Sequence, residues 1–293
     1  MTKKLNIFLP VWLLIFQMNI VANQWNPQSK KIYQSKFKNT LLIINFNHPY
    51  YNNIPFLQHL YGQIFDQIVF YGEHAHHLVT ALPTAKGFNL GPVIEDVLTK
   101  YPEYKGYFFL QDDCLLHPWA CLSFDLDKLW LPRATLELEK WQHEPWYASP
   151  NMVDGTNPHL PIWPGPYGYN PTKRGWDQLL AKDRENLDKN AGTNNVPHAQ
   201  CDLFYIPQRY RKEVLRLNSL FNGVFCELAV PIIFCCLADK KEWERTTLYW
   251  DFLSEMINSG WPMGFTCLHP VKFSKGELQN HVQALFNRLI LND

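Results

Sequence analysis

"GYFFLQDDCLL", residues 106–116, runs a continuous apolar stretch into two adjacent aspartates and then turns apolar again. Consecutive apolar positions of this length fit a strand buried on both faces, as in parallel sheets covered by helices. In open α/β sheets, ligands bind outside the carboxyl ends of the strands, and Asp112 and Asp113 lie at such an end. Neighbouring carboxylates repel and cost desolvation energy unless a cation or donors compensate them. A divalent ion does so directly, and hard oxygen ligands with room for water and phosphate oxygens suit Mg2+ or Mn2+. The plainer alternative is a solvated turn in which Asp112 caps a nearby amide.

Outward from this stretch the pattern repeats. "TLLIINF" (40–46) and "QIVFYGE" (67–73) are further buried strands, while "IPFLQHLYGQIF" (54–65) and "GPVIEDVLTKYPEY" (91–104) have helical spacing. Strand, helix, strand, helix, strand predicts an α/β domain with a mainly parallel sheet flanked by helices. Residues 141–200 change character: they are dense in Pro, Gly, Trp and Tyr, without lasting periodicity, as a functional loop would be. Beyond them, "CDLFYIP" (201–207) predicts a strand, and "QRYRKEVLRLNSLF" (208–221) and "VFCELAVPIIFCCLA" (224–238) predict helices. "GFTCLHPVKFS" (264–274) reads as a short strand or loop before a terminal helix, "GELQNHVQALFNRLIL" (276–291).

The 293 residues suffice for one large domain with a sizeable core. Lys plus Arg and Asp plus Glu both number 27, and no basic run exceeds two residues, so the electrostatic footprint of a nucleic-acid binder is missing. At the N-terminus, "MTKK" precedes the apolar stretch 5–22, which ends in small residues; residues 1–23 read as a signal peptide or signal anchor, with possible membrane anchoring through it. The polar, lysine-rich residues 24–39 read as a stem or linker, and 40–293 as the domain. Seven cysteines show no C-x-x-C pair, which removes the signal for a zinc ribbon or thioredoxin-like site. The histidines of "EHAHH" (73–77) lack metalloprotease or finger spacing. No P-loop, nucleophile-elbow or dinucleotide-binding glycine motif occurs.

The order of elements, with an acidic motif at a strand end in the first half, resembles the GT-A fold of nucleotide-sugar glycosyltransferases. "FFLQDDCLL" (108–116) is similar to the D-x-D region of exostosin-type C-terminal domains, and "INFNHPYY" (44–51) to the first strand of a set of eukaryotic proteins. The resemblance covers roughly residues 40–275 in pattern, with only short stretches matching closely. It implies a Mn2+- or Mg2+-dependent enzyme of hexosyl- or N-acetylhexosaminyl-transferase type in the ER or Golgi lumen. Its partners would be a nucleotide-sugar donor, a UDP-sugar first, and a glycan or protein acceptor. Asp113 and His269 would hold the metal, and Asp112 would contact the donor or a metal-bound water. Gln111 stands where the family has its first acid.

Glu227, at the start of the helix "CELAVP", would be the catalytic base; a plain helix-start glutamate favoured by the macrodipole is the alternative. Lys272 would reach phosphate as a point charge. Asn45, Asn47, Glu73, Lys86 and Asn89 would border the nucleotide, against ordinary turn chemistry for the asparagines and a solvated lysine. Trp146–Trp176 would be the acceptor side, with Asp202 holding an acceptor hydroxyl. A catalytically inactive relative that binds glycan or protein is the alternative function, favoured by Gln111. A metal-dependent phosphotransferase using the aspartate pair is weakened because adjacent strand residues face opposite ways.

Overall fold

The computed structural model describes residues 30–134, 149–150, 167–193, 195–250 and 265–291. Its centre is a nine-stranded sheet. In chain order the strands are β1 (Thr40–Asn45), β2 (Gln67–Gly72), β3 (Thr80–Ala81), β4 (Gly106–Gln111), β5 (Leu115–Leu116) and β6 (Trp130–Ala134). A minor pair, β7 (Ser149–Pro150) with β8 (Asn195–Val196), stands apart, and β9 (Leu203–Pro207), β10 (Glu244–Trp250) and β11 (Cys267–His269) complete the sheet. The spatial order is β3-β2-β1-β4-β9-β6-β10-β11-β5.

The helices are α1 (Lys30–Lys36), α2 (Ile54–Tyr61), α3 (Gly91–Lys100), α4 (Tyr169–Asp177), α5 (Ala181–Ala191), α6 (Arg211–Phe221), α7 (Cys226–Leu237) and α8 (Gly276–Phe286). The expected mainly parallel sheet flanked by helices is therefore present. Because side chains alternate across a strand, each central strand feeds two cores. Leu41, Ile43, Tyr107, Phe109, Phe204 and Ile206 pack toward α3, α6 and α7. Leu42, Ile44, Phe108, Leu110, Leu203 and Tyr205 pack toward α2 and α8. Burial on both faces is why these strands read as unbroken apolar runs.

Strand direction positions everything that follows. β1, β2 and β4 are parallel. β9 is antiparallel to β4, and β6 is antiparallel to β9, so two reversals restore the original direction. β10 and β11 continue parallel to β6. The carboxyl ends of β1, β4 and β11 therefore lie at one end of the sheet, together with the start of β9.

Two sequence expectations need correction. Residues 24–39 were expected to be a linker, yet Lys30–Lys36 form α1, and Tyr33 and Phe37 are buried. The Phe37 ring, just past the helix, lies 5.0 Å from Phe65, so Tyr33 and Phe37, four residues apart, anchor a helix whose remaining apolar residue, Ile32, is exposed. Within the irregular stretch, residues 169–177 are helical and Trp176 is buried, so it fills the core instead of facing an acceptor. Residues 146–148 and 151–166 of that stretch lie outside the described residues, as does the N-terminal segment 1–29. Among the described residues, no helix is long and apolar enough to cross a membrane.

Two fold features give direct tests. A Cβ on Gly106 would sit 1.8 Å from the Tyr205 hydroxyl. That hydroxyl donates to the Leu126 carbonyl at 3.0 Å, and the ring is held by Trp130 with centroids 4.9 Å apart. Gly106→Ala is expected to cost roughly 1–3 kcal/mol or more in urea unfolding, by overpacking. A change under about 0.5 kcal/mol would mean Tyr205 is not held.

His117 is fully buried, stacked on Trp119, with Nδ1–H donating to the Phe265 carbonyl at 2.8 Å. Burial lowers its pKa from 6.5 to about 4, against the raising effect of that hydrogen bond. The neutral ring is thus favoured in the fold. Its contribution is fully present above pH 6.5 and is lost as pH falls toward 4, where the unfolded chain binds the extra proton. His117→Gln should flatten the stability–pH slope in that window, while an unchanged slope would contradict the assignment.

Candidate functional site

The aspartates that follow β4 turn to opposite partners. The Asp112 backbone N–H donates to the Asn45 carbonyl at 2.9 Å, and its Oδ1 accepts from the Asn47 N–H at 2.8 Å. Asp112 thereby fastens the end of β4 to the end of β1. Burial, opposed by the Asn47 donor and reinforced by the charge on Asp113, lifts its pKa to about 7. Beside it, Gln111 Oε1 accepts from Asn45 Nδ2 at 3.1 Å, and both side chains are buried.

Asp113 faces the other way. Its carbonyl accepts from the Val271 N–H at 2.6 Å, which holds the segment after β11 against the end of β4. Its Oδ1 lies 3.3 Å from His269 Nε2, and its Oδ2 lies 3.2 Å from Lys272 Nζ. The same His269 nitrogen is 3.8 Å from Asp202 Oδ1. Asp202 arrives there because β9 starts where β4 ends, with the Gln111 N–H donating to the Asp202 carbonyl at 2.9 Å.

The electrostatics follow from this packing. Burial opposes ionisation of Asp113, but the adjacent His269 ring and the charge of Lys272 outweigh it and hold the carboxyl below its ordinary range. Burial raises Asp202, with His269 pulling it down and Asp113 pushing it up. Burial disfavours the His269 imidazolium, yet Asp202 and Asp113 together lift the ring to about 9. At neutral pH a protonated imidazole therefore sits between two carboxyl groups. Asp113, Cys114 and His269 also offer one ligand atom each within 4.8 Å of one another, a grouping that could hold a metal ion.

Glu227 lies in the first turn of α7, partly exposed, and its carbonyl accepts from the Ala199 N–H at 3.0 Å. Burial raises the Cys226 thiol, and the charges of Glu227 and Asp202 add to that rise. The start of α7 is docked by the Cys226 N–H donating to the Phe88 carbonyl at 2.8 Å.

The remaining predicted residues divide. Lys86 is exposed in a left-handed turn, with φ of 48° at Ala85, 56° at Lys86 and 81° at Gly87. A Cβ at Gly87 would meet Asn47 Oδ1 at 1.8 Å and Gln111 Oε1 at 3.3 Å, so this turn packs on the ends of β1 and β4. Asn89 is occupied by backbone: its Oδ1 accepts from the N–H groups of Gly91 at 3.2 Å and Gly223 at 3.3 Å. That is the turn chemistry its sequence context also allowed. Glu73 is exposed after β2, two strands from β4, and does not join the cluster. Sequence reasoning overlooked Cys114. Its adjacency to Asp113 was the available signal, but without a C-x-x-C partner it carried no metal signal of its own.

No protein-family model matches the chain. It is similar to the Arabidopsis thaliana protein named "Probable glycosyltransferase STELLO2", with 20% identity over 221 residues, 72% of this chain and 26% of that protein. The chain thus spans about a quarter of the length of that relative. The likeness supports a glycosyltransferase-like family.

The ion-pair geometry predicts a titration. In NMR, His269 should keep imidazolium shifts up to pH 8, and Asp113→Asn should lower its midpoint from about 9 by removing one of the two carboxylates. A wild-type midpoint near the ordinary histidine value of about 6.5 would show that the ring does not sit between them.

Proposed function

We propose that this chain transfers a sugar from a nucleotide-sugar donor, a UDP-sugar first among candidates, to a hydroxyl of a glycan or protein acceptor. The observation that carries the reading is the meeting of Asp113, Asp202, His269 and Lys272 at one end of an α/β sheet. It is supported by the distant likeness to a probable glycosyltransferase. A lumenal setting in the secretory pathway, with residues 1–23 as signal or anchor, belongs to the same proposal.

The donor set fits a divalent ion of the Mn2+ or Mg2+ class. Two ligands bound at about 2.1 Å and at right angles lie about 3 Å apart, and Asp113 Oδ1 and His269 Nε2 are 3.3 Å apart. Asp113 and His269 would hold the ion, whose chemistry is to neutralise the diphosphate. Lys272, exposed and already beside Asp113, would turn to a phosphate oxygen. Asp112 would keep the ends of β1 and β4 in register for the nucleoside, with Asn45 and Asn47 beside it. Lys86 adds positive charge at the same rim.

In an inverting reaction Glu227 would take the acceptor hydroxyl proton as that oxygen bonds to the anomeric carbon. The bond from that carbon to the diphosphate oxygen breaks, and the electron pair leaves with the nucleotide. In a retaining reaction Glu227 would only orient the acceptor. Asp202, placed beside His269, would position the imidazole in preference to the acceptor-holding role first assigned to it.

A second reading, an inactive relative that binds glycan or protein, is favoured by one observation: Gln111, at the usual position of the first acid, is buried and hydrogen-bonded to Asn45. Calorimetric titration of UDP into the full chain, with and without Mn2+, separates the two. The transferase reading predicts metal-dependent binding that Asp113→Asn abolishes, and it fails if neither UDP nor GDP binds under any metal condition. Once a donor is known, Glu227→Gln should lower kcat by about 10²–10⁴-fold in an inverting enzyme. An unchanged kcat would remove Glu227 as the base.

A further inference from the structure

We propose that Cys114 is a third ligand of the ion held by Asp113 and His269, which makes the site one for borderline transition ions such as Zn2+ or Co2+ ahead of Mn2+ and Mg2+. The inference rests on the metal reading above and extends it to the identity of the ion. Its geometric basis is the β5–β11 ladder. Leu116 pairs with Cys267 and Leu115 with Leu268, in antiparallel register. Extending that register by one residue beyond these pairs would set Cys114 opposite His269. Cross-strand partners project side chains to the same face, and residues directly opposite are neighbours.

A tight turn at the end of β4, closed by the Cys114 N–H donating to the Gln111 carbonyl at 3.1 Å, then brings Asp113 to the same point. The result is one oxygen, one sulfur and one nitrogen atom mutually within 4.8 Å. Such a grouping, three protein ligands of mixed type with a position left open, is the pattern of ion sites that also take an exogenous oxygen ligand. A thiolate shifts preference from hard Mg2+ toward Zn2+ and Co2+, and from the weak to the strong end of the divalent series. Only the thiolate and the neutral imidazole ligate, so the Cys114 proton and the extra proton on His269 both pass to buffer when the ion enters. The neighbouring Cys267 thiol is also buried, but it lies outside the three-atom grouping.

Co2+ absorption spectroscopy on the full chain tests this without any activity assay. Wild type should show a sulfur-to-cobalt charge-transfer band in the near ultraviolet together with visible d–d bands. Cys114→Ser should lose the charge-transfer band, keep d–d absorption and bind Zn2+ about tenfold or more weakly. Cys267→Ser should retain the charge-transfer band, which assigns the sulfur, and Cys114→Ala with circular dichroism controls for folding. A wild-type spectrum with d–d bands that vanish in Asp113→Asn but with no charge-transfer band would overturn the role of Cys114 and leave the Asp113–His269 site standing. No Co2+ or Zn2+ binding at all would overturn both.

Discussion

Asp113 ties the two halves of the sheet to each other at their carboxyl ends. Its carbonyl holds Val271, and its carboxylate holds His269 and Lys272, all from the strand-end segment most distant in sequence. Replacing that carboxylate would take from the partly buried His269 imidazolium one of the two carboxyl groups beside it, which favours the neutral ring, and would release the exposed Lys272 to solvent. The adjacent Asp112 performs the complementary task toward β1 through Asn45 and Asn47. The adjacent acids are therefore not redundant. They face opposite neighbours and hold three strand ends in one place.

This arrangement explains why the surrounding elements have the form they do. β9 runs antiparallel between β4 and β6, and that reversal delivers Asp202 to the end of β4. The left-handed turn at Ala85–Gly87 rests on Asn47 and Gln111, and the segment after it docks the start of α7, bringing Glu227 to the rim. Two non-glycine residues at positive φ are uncommon and cost energy, so the turn persists only because its neighbours fix it. The same end of the sheet thus gathers a neutralised acid pair, a cationic side chain and a glutamate at a helix start.

Much of this architecture was legible in the sequence because burial on both faces leaves a plain mark. β1, β2, β4 and β9 appear as continuous apolar runs, with α2 and α3 as helical segments between the first three and α6, α7 and α8 as helical segments after β9. The acidic pair stood out because charge interrupts such a run. What stayed hidden depends on partners distant along the chain. Only Tyr33 and Phe37 betray α1 among its lysines. The pairing order β9-β6-β10-β11 follows from tertiary packing that no local pattern records. His269 was found through a resemblance, not through its apolar surroundings. Asn89 was named for a ligand role, whereas its carboxamide is taken up by two backbone N–H groups, which is what a loop asparagine before a glycine often does. Cys114 was passed over because an isolated buried thiol looks the same whether it packs or ligates.

The central claim is that the carboxyl end of β4, through Asp113 and across to His269, holds the ion that accompanies a nucleotide diphosphate. The most direct measurement is anomalous X-ray diffraction from crystals grown with UDP and Mn2+. The account predicts one anomalous peak within bonding distance of Asp113 and His269, with diphosphate oxygens among its other ligands. Density for UDP elsewhere on the molecule, or at this end of the sheet with the Asp113–His269 ion pair intact and no anomalous peak, would contradict it.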